Sequence, residues 1–325
     1  MIVCIGGVGY IGSVVLDYVD KICGSASLCM DNLTYTDDYN RHMFNNVDIT
    51  DKDALHQALD RHPSISCIIH MAAIVGDGAC NVDPAKTMAV NIDGTRNIVE
   101  WIKRRNASSD HKVRLVYAST CSVYGESSEL LNEESVANPI SLYAETKLIG
   151  EGLVKEVEDH LIFRLGTIHG LNTHQTYGRI RSDLVVNTMT FAASLGNPIN
   201  VYGKNQWRPF IHVMDVGRLI AFGAVGSFRG TYILAKDNLT LGDVAEHIGQ
   251  CIDGTTIITY EGKAQDMRNY RVDNGKAKSV GLIPQMSIYN GITQMRDAIR
   301  NKRIKNPWLS KYNNAKYLQE LHNAR

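Results

Sequence analysis

The chain has 325 residues, 44% of them hydrophobic, and its 34 Lys and Arg balance its 34 Asp and Glu. That length fits one large α/β domain or two unequal ones, and the composition is that of an ordinary globular protein. The zero net charge gives no footing for nucleic acid or an anionic membrane, and no apolar run reaches the ~20 residues of a membrane helix.

The 7 cysteines are scattered without a C-x-x-C pair, and Cys4, Cys29 and Cys67 sit in apolar runs. This usage points to buried thiols in a reducing compartment, and no Cys/His grouping has zinc spacing. The chain opens on a core strand, so the expectation is a cytoplasmic protein without a signal peptide. No metal is expected.

Ile2 to Ile5 is an apolar run that meets Gly6-Gly7-Val8-Gly9-Tyr10-Ile11-Gly12, and Val14, Val15, Leu16 and Val19 then follow at near-helical spacing. Strand, glycine turn and helix in that order form a dinucleotide fingerprint. One glycine makes the turn, one lets backbone reach a pyrophosphate and one lets helix pack on strand. The helix N-terminus offers free N–H groups to the phosphates. The run Ala26 to Met30 ends in Asp31-Asn32-Leu33, where an acid accepts from both ribose hydroxyls and repels a 2′-phosphate. No Arg adjoins Asp31, so the expected cofactor is NAD rather than NADP.

Asn46 to Ile49 reads as a short strand and Asp51 to Leu59 as a helix. Ile65 to His70 is the next strand, leading into Met71-Ala72-Ala73, small residues that let backbone approach a ligand. His70, at a strand end, reads as a structural histidine. Pro84 to Lys103 reads as one long helix with Met88, Ile92, Thr95, Val99 and Ile102 on one face. Val113 to Ala118 is a strand. The alternation predicts an α/β protein with a doubly wound parallel sheet, its ligands at the carboxyl ends of the strands.

That strand runs into Ser119-Thr120-Cys121-Ser122-Val123-Tyr124-Gly125, and Ser141-Leu142-Tyr143-Ala144-Glu145-Thr146-Lys147 follows. Tyr143 and Lys147 stand four apart on a predicted helix over 143–159 and so share a face. A free tyrosine has a pKa of ~10, and a nearby ammonium or a cationic nicotinamide ring lowers it. Tyr143 then suits the role of base toward a sugar hydroxyl, with Thr120 holding the same hydroxyl.

Ile162 to Gly166 is a further strand. From Thr167 to Arg181 the pattern turns irregular, which marks departure into a substrate-binding part. A helix opens near Asp183, and Val201-Tyr202-Gly203 and Trp207 to Val213 come next, followed by Asp215-Val216. Arginine forks suit a diphosphate, and Arg208 and Arg268, the latter in Asp266-Met267-Arg268-Asn269-Tyr270, are the candidates. The basic Arg296 to Lys305 and the tail after Asn306-Pro307-Trp308 read as a solvated helix and a surface arm.

These motifs, in this order, resemble the extended short-chain dehydrogenase/reductase family of NAD-dependent nucleotide-sugar epimerases and dehydratases, over Ile2 to Pro284. The resemblance implies a Rossmann-type domain over residues 1–167 plus about 214–237, and a smaller C-terminal α/β substrate domain over 168–213 and 238–325. It implies that Gly6, Gly9, Tyr10, Ile11, Gly12, Asp31, Asn32, Asp48, Ile49, Ala72, Ala73, Asn91, Tyr143 and Lys147 bind NAD, with Asp48 and Ile49 beside the adenine. Thr120, Tyr143 and Lys147 become the catalytic set. Ser122, Thr167, Arg181, Asn187, Arg208 and Arg268 become substrate residues for a nucleotide-diphosphate sugar, and a homodimer built on the 84–103 and 143–159 helices is implied.

Two departures sharpen the expectation. Dehydratases carry Asp-Glu just after the catalytic Thr, where this chain has Cys121-Ser122, which argues against water elimination. Many 4-epimerases have Asn where this chain has Thr167. The reading is a nucleotide-sugar 4-epimerase. Its alternatives are a 4-dehydrogenase or 4-ketoreductase on the same scaffold, and a non-enzymatic NAD(P)-sensing regulator.

Overall fold

The computed structural model describes every residue except 25, 36–38, 40–42, 174–178, 261–267 and 325. Asp266 and Met267, which flank Arg268 in its motif, and part of the irregular stretch before Arg179 therefore lie outside the described residues.

Seven parallel strands lie side by side in the order Gly230–Leu234, His160–Leu165, Arg114–Thr120, Cys67–His70, Ile2–Ile5, Leu28–Asp31 and Phe44–Asn46. The chain winds from Ile2–Ile5 to one edge and then returns to build the other side from Cys67–His70. The strand order thus reverses between these two strands, where a crevice opens in doubly wound sheets. The strands read as near-continuous apolar runs because both sheet faces are covered. Cys4, Cys29 and Ile69 pack with helices Gly12–Cys23 and Val213–Val225 through Val15, Leu16, Leu219 and Ile220. Val3, Ile5, Met30 and Ile68 pack on the opposite side with Leu55, Ile98, Trp101 and Val154 of helices Lys52–Asp60, Gly94–Ala107 and Leu142–Val154.

Several boundaries differ from expectation for local reasons. The third strand is Phe44–Asn46 rather than 46–49. It stops because Asp48 turns back to accept from the Thr50 amide and hydroxyl at 2.9 and 2.8 Å. The long helix from Pro84 contains a π-turn over Ala89–Asp93 before resuming as Gly94–Ala107. The widened turn changes the phase of the buried stripe. Thr87, Asn91 and Thr95 are buried, whereas Met88 is 46% exposed. The helix bearing Tyr143 ends at Val154 rather than 159.

The C-terminal part has its own core. Asp237–Thr240, Trp207–His212 and Thr167–His169 form a three-stranded sheet. Helices Val185–Ser194, Leu241–Cys251 and Ile288–Arg300 pack through Val186, Phe191, Val244 and Ile292, with Phe210 from the sheet. The tail is not a surface arm. Its helix Asn314–Asn323 folds back onto the short helix Asp77–Cys80 and seats Leu318 against Ile74, Ala79 and Cys80.

Among the described residues, three histidines are buried. His70 bonds Thr95 Oγ1 through Nε2 at 2.9 Å, and His169 packs edge-on against His212 with centroids 5.2 Å apart. Burial, with Lys147 nearby, pushes His70 down to about 3. Burial pushes His212 to about 4 against Gln294 and Asp215, and burial plus His212 holds His169 well below 6.5. Between these folded values and the unfolded value of 6.5, only the unfolded chain takes up the protons. Stability is therefore intact above pH 6.5 and is lost as pH falls below it, by up to about 1.4 kcal/mol per pH unit for each histidine. Calorimetric unfolding at pH 5 checks this, since His212→Gln reduces proton uptake on unfolding by about one.

Candidate active site

Along the carboxyl ends of the central strands runs a cleft of about 720 Å³. Its floor is the glycine turn. Gly6 sits at φ +83°, where a Cβ would lie 2.4 Å from Ala72 N, and a Cβ on Gly12 would lie 2.2 Å from Gly6 O. Both close approaches need glycine. A Cβ on Gly9 meets only Gly6 O, at 3.4 Å, within its own loop, so the bareness of Gly9 serves the cleft side. Asp31 closes the turn. Its Oδ2 accepts from Val8 N at 3.1 Å and its Oδ1 from Leu33 N at 2.8 Å. Burial raises the Asp31 pKa against these backbone bonds, and the carboxylate still faces the cleft with acceptor sites to spare. Burial also acts on Asp48, but bonds from Thr50 and Asn32 hold it below the usual carboxylate value. Tyr10 donates to Gly170 O at 2.6 Å. Gly6, Gly9, Tyr10, Ile11, Gly12, Asp31, Asn32, Asp48, Ile49, Ala72 and Ala73 all line the cleft. This bare floor with an acid at the end of the second strand fits a dinucleotide.

Farther along, Thr120, Ser122, Tyr143 and Lys147 line the same cleft. Thr120 ends its strand and Tyr143 opens the next helix behind the Ser141 cap, so the fold brings both side chains to the same stretch of the cleft. On balance the Tyr143 pKa is raised rather than lowered, contrary to the i,i+4 argument. Burial pushes it up, Cys80 and Asp77 add to that, and Thr120 and Arg181 oppose it. Lys147 Nζ instead stands 4.0 Å over the Tyr117 ring, and burial brings its pKa down to about 7 against Glu151 and Cys80.

Behind this point lies a buried ion pair. Arg164 donates to Glu151 through Nε and Nη2 at 2.9 and 2.8 Å, and Ser119 Oγ donates to the same carboxylate at 2.6 Å. Cys121 faces the same way. Its thiol donates to Arg164 O at 3.3 Å, and burial raises its pKa.

Arg181, Arg208, Arg268 and Thr167 line the cleft. Arg181 forks onto Asp183 at 2.6 and 3.0 Å. Arg208 donates to Trp207 O at 2.9 Å, and Arg268 to Ser122 Oγ at 3.1 Å.

Two expected contacts do not reach the cleft. Asn187 is buried behind the wall. It accepts from Gly170 N at 3.0 Å and donates to Arg181 O at 2.8 Å, which positions Arg181 rather than a ligand. Asn91 is likewise buried and brackets Ile74, accepting from its N–H and donating to its carbonyl.

Other cleft residues were not singled out from sequence, among them Tyr35, Asp77, Arg179, Asn313 and Asn314. Asp77 had a local signal, a glycine on each side just after a strand end. The tail residues had none, because only tertiary folding brings them back. Arg179 stacks 3.9 Å over the Tyr35 ring and donates to Asn314 Oδ1.

The sequence matches the NAD dependent epimerase/dehydratase family over residues 2–224. The chain belongs to that family. NAD, the cofactor anticipated from the glycine turn and Asp31, is the family's own. This family member is 27% identical over 315 residues to a putative UDP-glucose 4-epimerase of Methanocaldococcus jannaschii, spanning 93% of this chain and 99% of that protein. It is also 27% identical over 321 residues to UDP-glucuronic acid decarboxylase 1 of Arabidopsis thaliana, spanning 93% of this chain and 70% of that protein. The fold matches a UDP-glucose 4-epimerase of Thermotoga maritima solved with UDP-glucose, at TM-score 0.78 and 21% identity over 93% of this chain and 99% of that one. It also matches a Thermus thermophilus UDP-glucose 4-epimerase in complex with NAD, at TM-score 0.77 and 22% identity over 92% and 98%. Members of this family are enzymes, and this chain is one. Among the described residues no helix is long and apolar enough to cross a membrane.

Proposed function

We propose that this family member is a nucleotide-diphosphate-sugar 4-epimerase that keeps NAD through the whole cycle. The reading takes residues 1–167 with about 214–237 as the cofactor half, and 168–213 with 238–325 as the substrate half. NAD, when bound, supplies an acceptor for a sugar hydride that can be given back. Gly6, Gly9 and Gly12 hold its diphosphate and Asp31 its ribose hydroxyls. The chain's own contribution is proton handling and grip. Thr120 Oγ1 fixes the C4 hydroxyl, and Tyr143 takes its proton and later returns one to the same oxygen. Arg208 and Thr167 hold the diphosphate end while the sugar turns over between the two transfers.

The supporting observation is the Thr120–Tyr143 pair with Lys147 one turn away, beside a strand end that lacks the acid-base residues of water elimination. Cys121 is a buried thiol turned to Arg164 O, and Ser122 is a hydroxyl bonded by Arg268. Neither can act as a carboxylate on the sugar.

The test is to denature the purified protein, identify what is released, and incubate the native protein with UDP-, dTDP-, GDP- and CDP-sugars without added cofactor. Released NAD and an epimerised product support the reading. Turnover only with an added carbonyl or external cofactor assigns a dehydrogenase or reductase instead. Homodimerisation belongs to the same reading. Met88 and Ile149 expose apolar side chains on the two helices expected to pair, and sedimentation of the full chain tests it.

A further inference from the structure

The strand ending at His70 runs on through Ile74-Val75-Gly76-Asp77, a segment with no part in the motif argument. Gly76 turns at φ +94°, and Asp77 begins the short helix that follows. The turn is held on two sides. Asn314 Nδ2 donates to Val75 O at 3.1 Å, and the Arg181 guanidinium stands where a Gly76 Cβ would be 4.0 Å away. The Asp77 carboxylate is thereby placed in the cleft.

Its two oxygens differ. Oδ2 lies 3.2 Å from Arg268 Nη2. Oδ1 is buried and has no hydrogen-bond partner among the described residues. The Asp77 side chain is 30% exposed, so Oδ2 is the oxygen that a donor on a ligand reaches, and a carboxylate oxygen keeps acceptor capacity beyond one arginine contact. The same Arg268 donates to Ser122 Oγ at 3.1 Å, two residues past Thr120, so the carboxylate lies toward the end of the cleft where the sugar reacts. The arginines at this end are already engaged with acids, Arg181 with Asp183 and Arg268 with Asp77.

We infer that Asp77 is a specificity-determining residue whose carboxylate accepts a hydrogen bond from a hydroxyl or amino group of the sugar and rejects nucleotide sugars whose sugar bears a carboxylate. This rests on the nucleotide-sugar reading above and names its substrate class as neutral or amino sugars. A uronic acid in the same place sets carboxylate against carboxylate, and the arginine that would have to receive it bidentately is the one Asp77 holds. Like-charge juxtaposition of this kind is expected to shift selectivity by tenfold or more.

Matched pairs on one nucleotide test this by calorimetry on the NAD-loaded protein at pH 7.5, namely UDP-glucose against UDP-glucuronic acid and GDP-mannose against GDP-mannuronic acid. The neutral member of the pair that binds is expected to bind at least about tenfold more tightly. Asp77→Asn is expected to narrow that ratio about tenfold by improving the uronic acid, and Asp77→Glu to keep it. A wild-type ratio of one or below, or a ratio unchanged in Asp77→Asn, overturns the inference. The wild-type ratio is informative even if the variant fails to fold. The readout needs no turnover, so a protein with the expected ratio that does not epimerise refutes the epimerase and leaves Asp77 its role. Epimerisation with no discrimination does the reverse, and failure to bind either pair and any dTDP- or CDP-sugar overturns both.

Discussion

Tyr143→Phe is expected to lower kcat by about 10²- to 10⁴-fold, the usual worth of a positioned general base, while the purified protein keeps its full complement of NAD. The variant removes one oxygen and fills the same space, so the helix Leu142–Val154 and the cleft floor at Gly6 to Gly12 are untouched. What disappears is the hydroxyl beside Thr120 in the cleft, and with it the route for the sugar proton. Burial and the neighbouring Cys80 and Asp77 disfavour the phenolate in the protein itself. The group therefore resists ionisation until positive charge stands beside it, which ties proton removal to a loaded site. Steady-state rates and the dinucleotide content per subunit decide the matter. Activity within tenfold of wild type, or loss of bound NAD, contradicts the role given to Tyr143.

The second large effect is on stability. Arg164→Met is expected to destabilise the protein by about 3–5 kcal/mol, because it leaves the Glu151 carboxylate buried without its partner. Glu151 has no exposed surface, and Arg164 is nearly as deep. The guanidinium also donates to Tyr124 Oη at 2.8 Å, so a single substitution strips several bonds from one buried cluster. The damage reaches chemistry as well. Ser119, beside Thr120, donates to Glu151, and Glu151 supports the charged form of Lys147. Urea midpoints of Arg164→Met and of Arg164→Met with Glu151→Gln check this. The double variant is expected to recover part of the loss, since it no longer buries a lone charge. A loss below about 1 kcal/mol in the single variant contradicts the assignment.

Much of the cofactor half was legible in the sequence because its signals are local. A glycine turn must follow its strand and open its helix, and Tyr143 and Lys147 share a face through helix geometry alone. The third strand slipped because Val47 to Ile49 are apolar enough to extend it, whereas Asp48 ends it with bonds to Thr50. The stripe on the helix from Pro84 slipped because a π-turn has no periodic signature. Asn187 has the residue type of a ligand contact but is consumed by Gly170 and Arg181. The buried pair of Arg164 and Glu151 joins a strand to a helix, and nothing in their spacing announces it. The tail was least legible, since residues about 240 positions apart, Val75 and Asn314, meet only in the folded chain.

The most direct test of the central claim follows one hydrogen. A nucleotide sugar that the protein turns over, prepared with deuterium at C4, is incubated with the purified protein in ordinary water without added cofactor, and the product is read by NMR and mass. The account predicts an epimer at C4 that retains its deuterium, with no accumulation of reduced dinucleotide. Loss of the label to solvent, or epimerisation at another carbon with C4 unchanged, would contradict it.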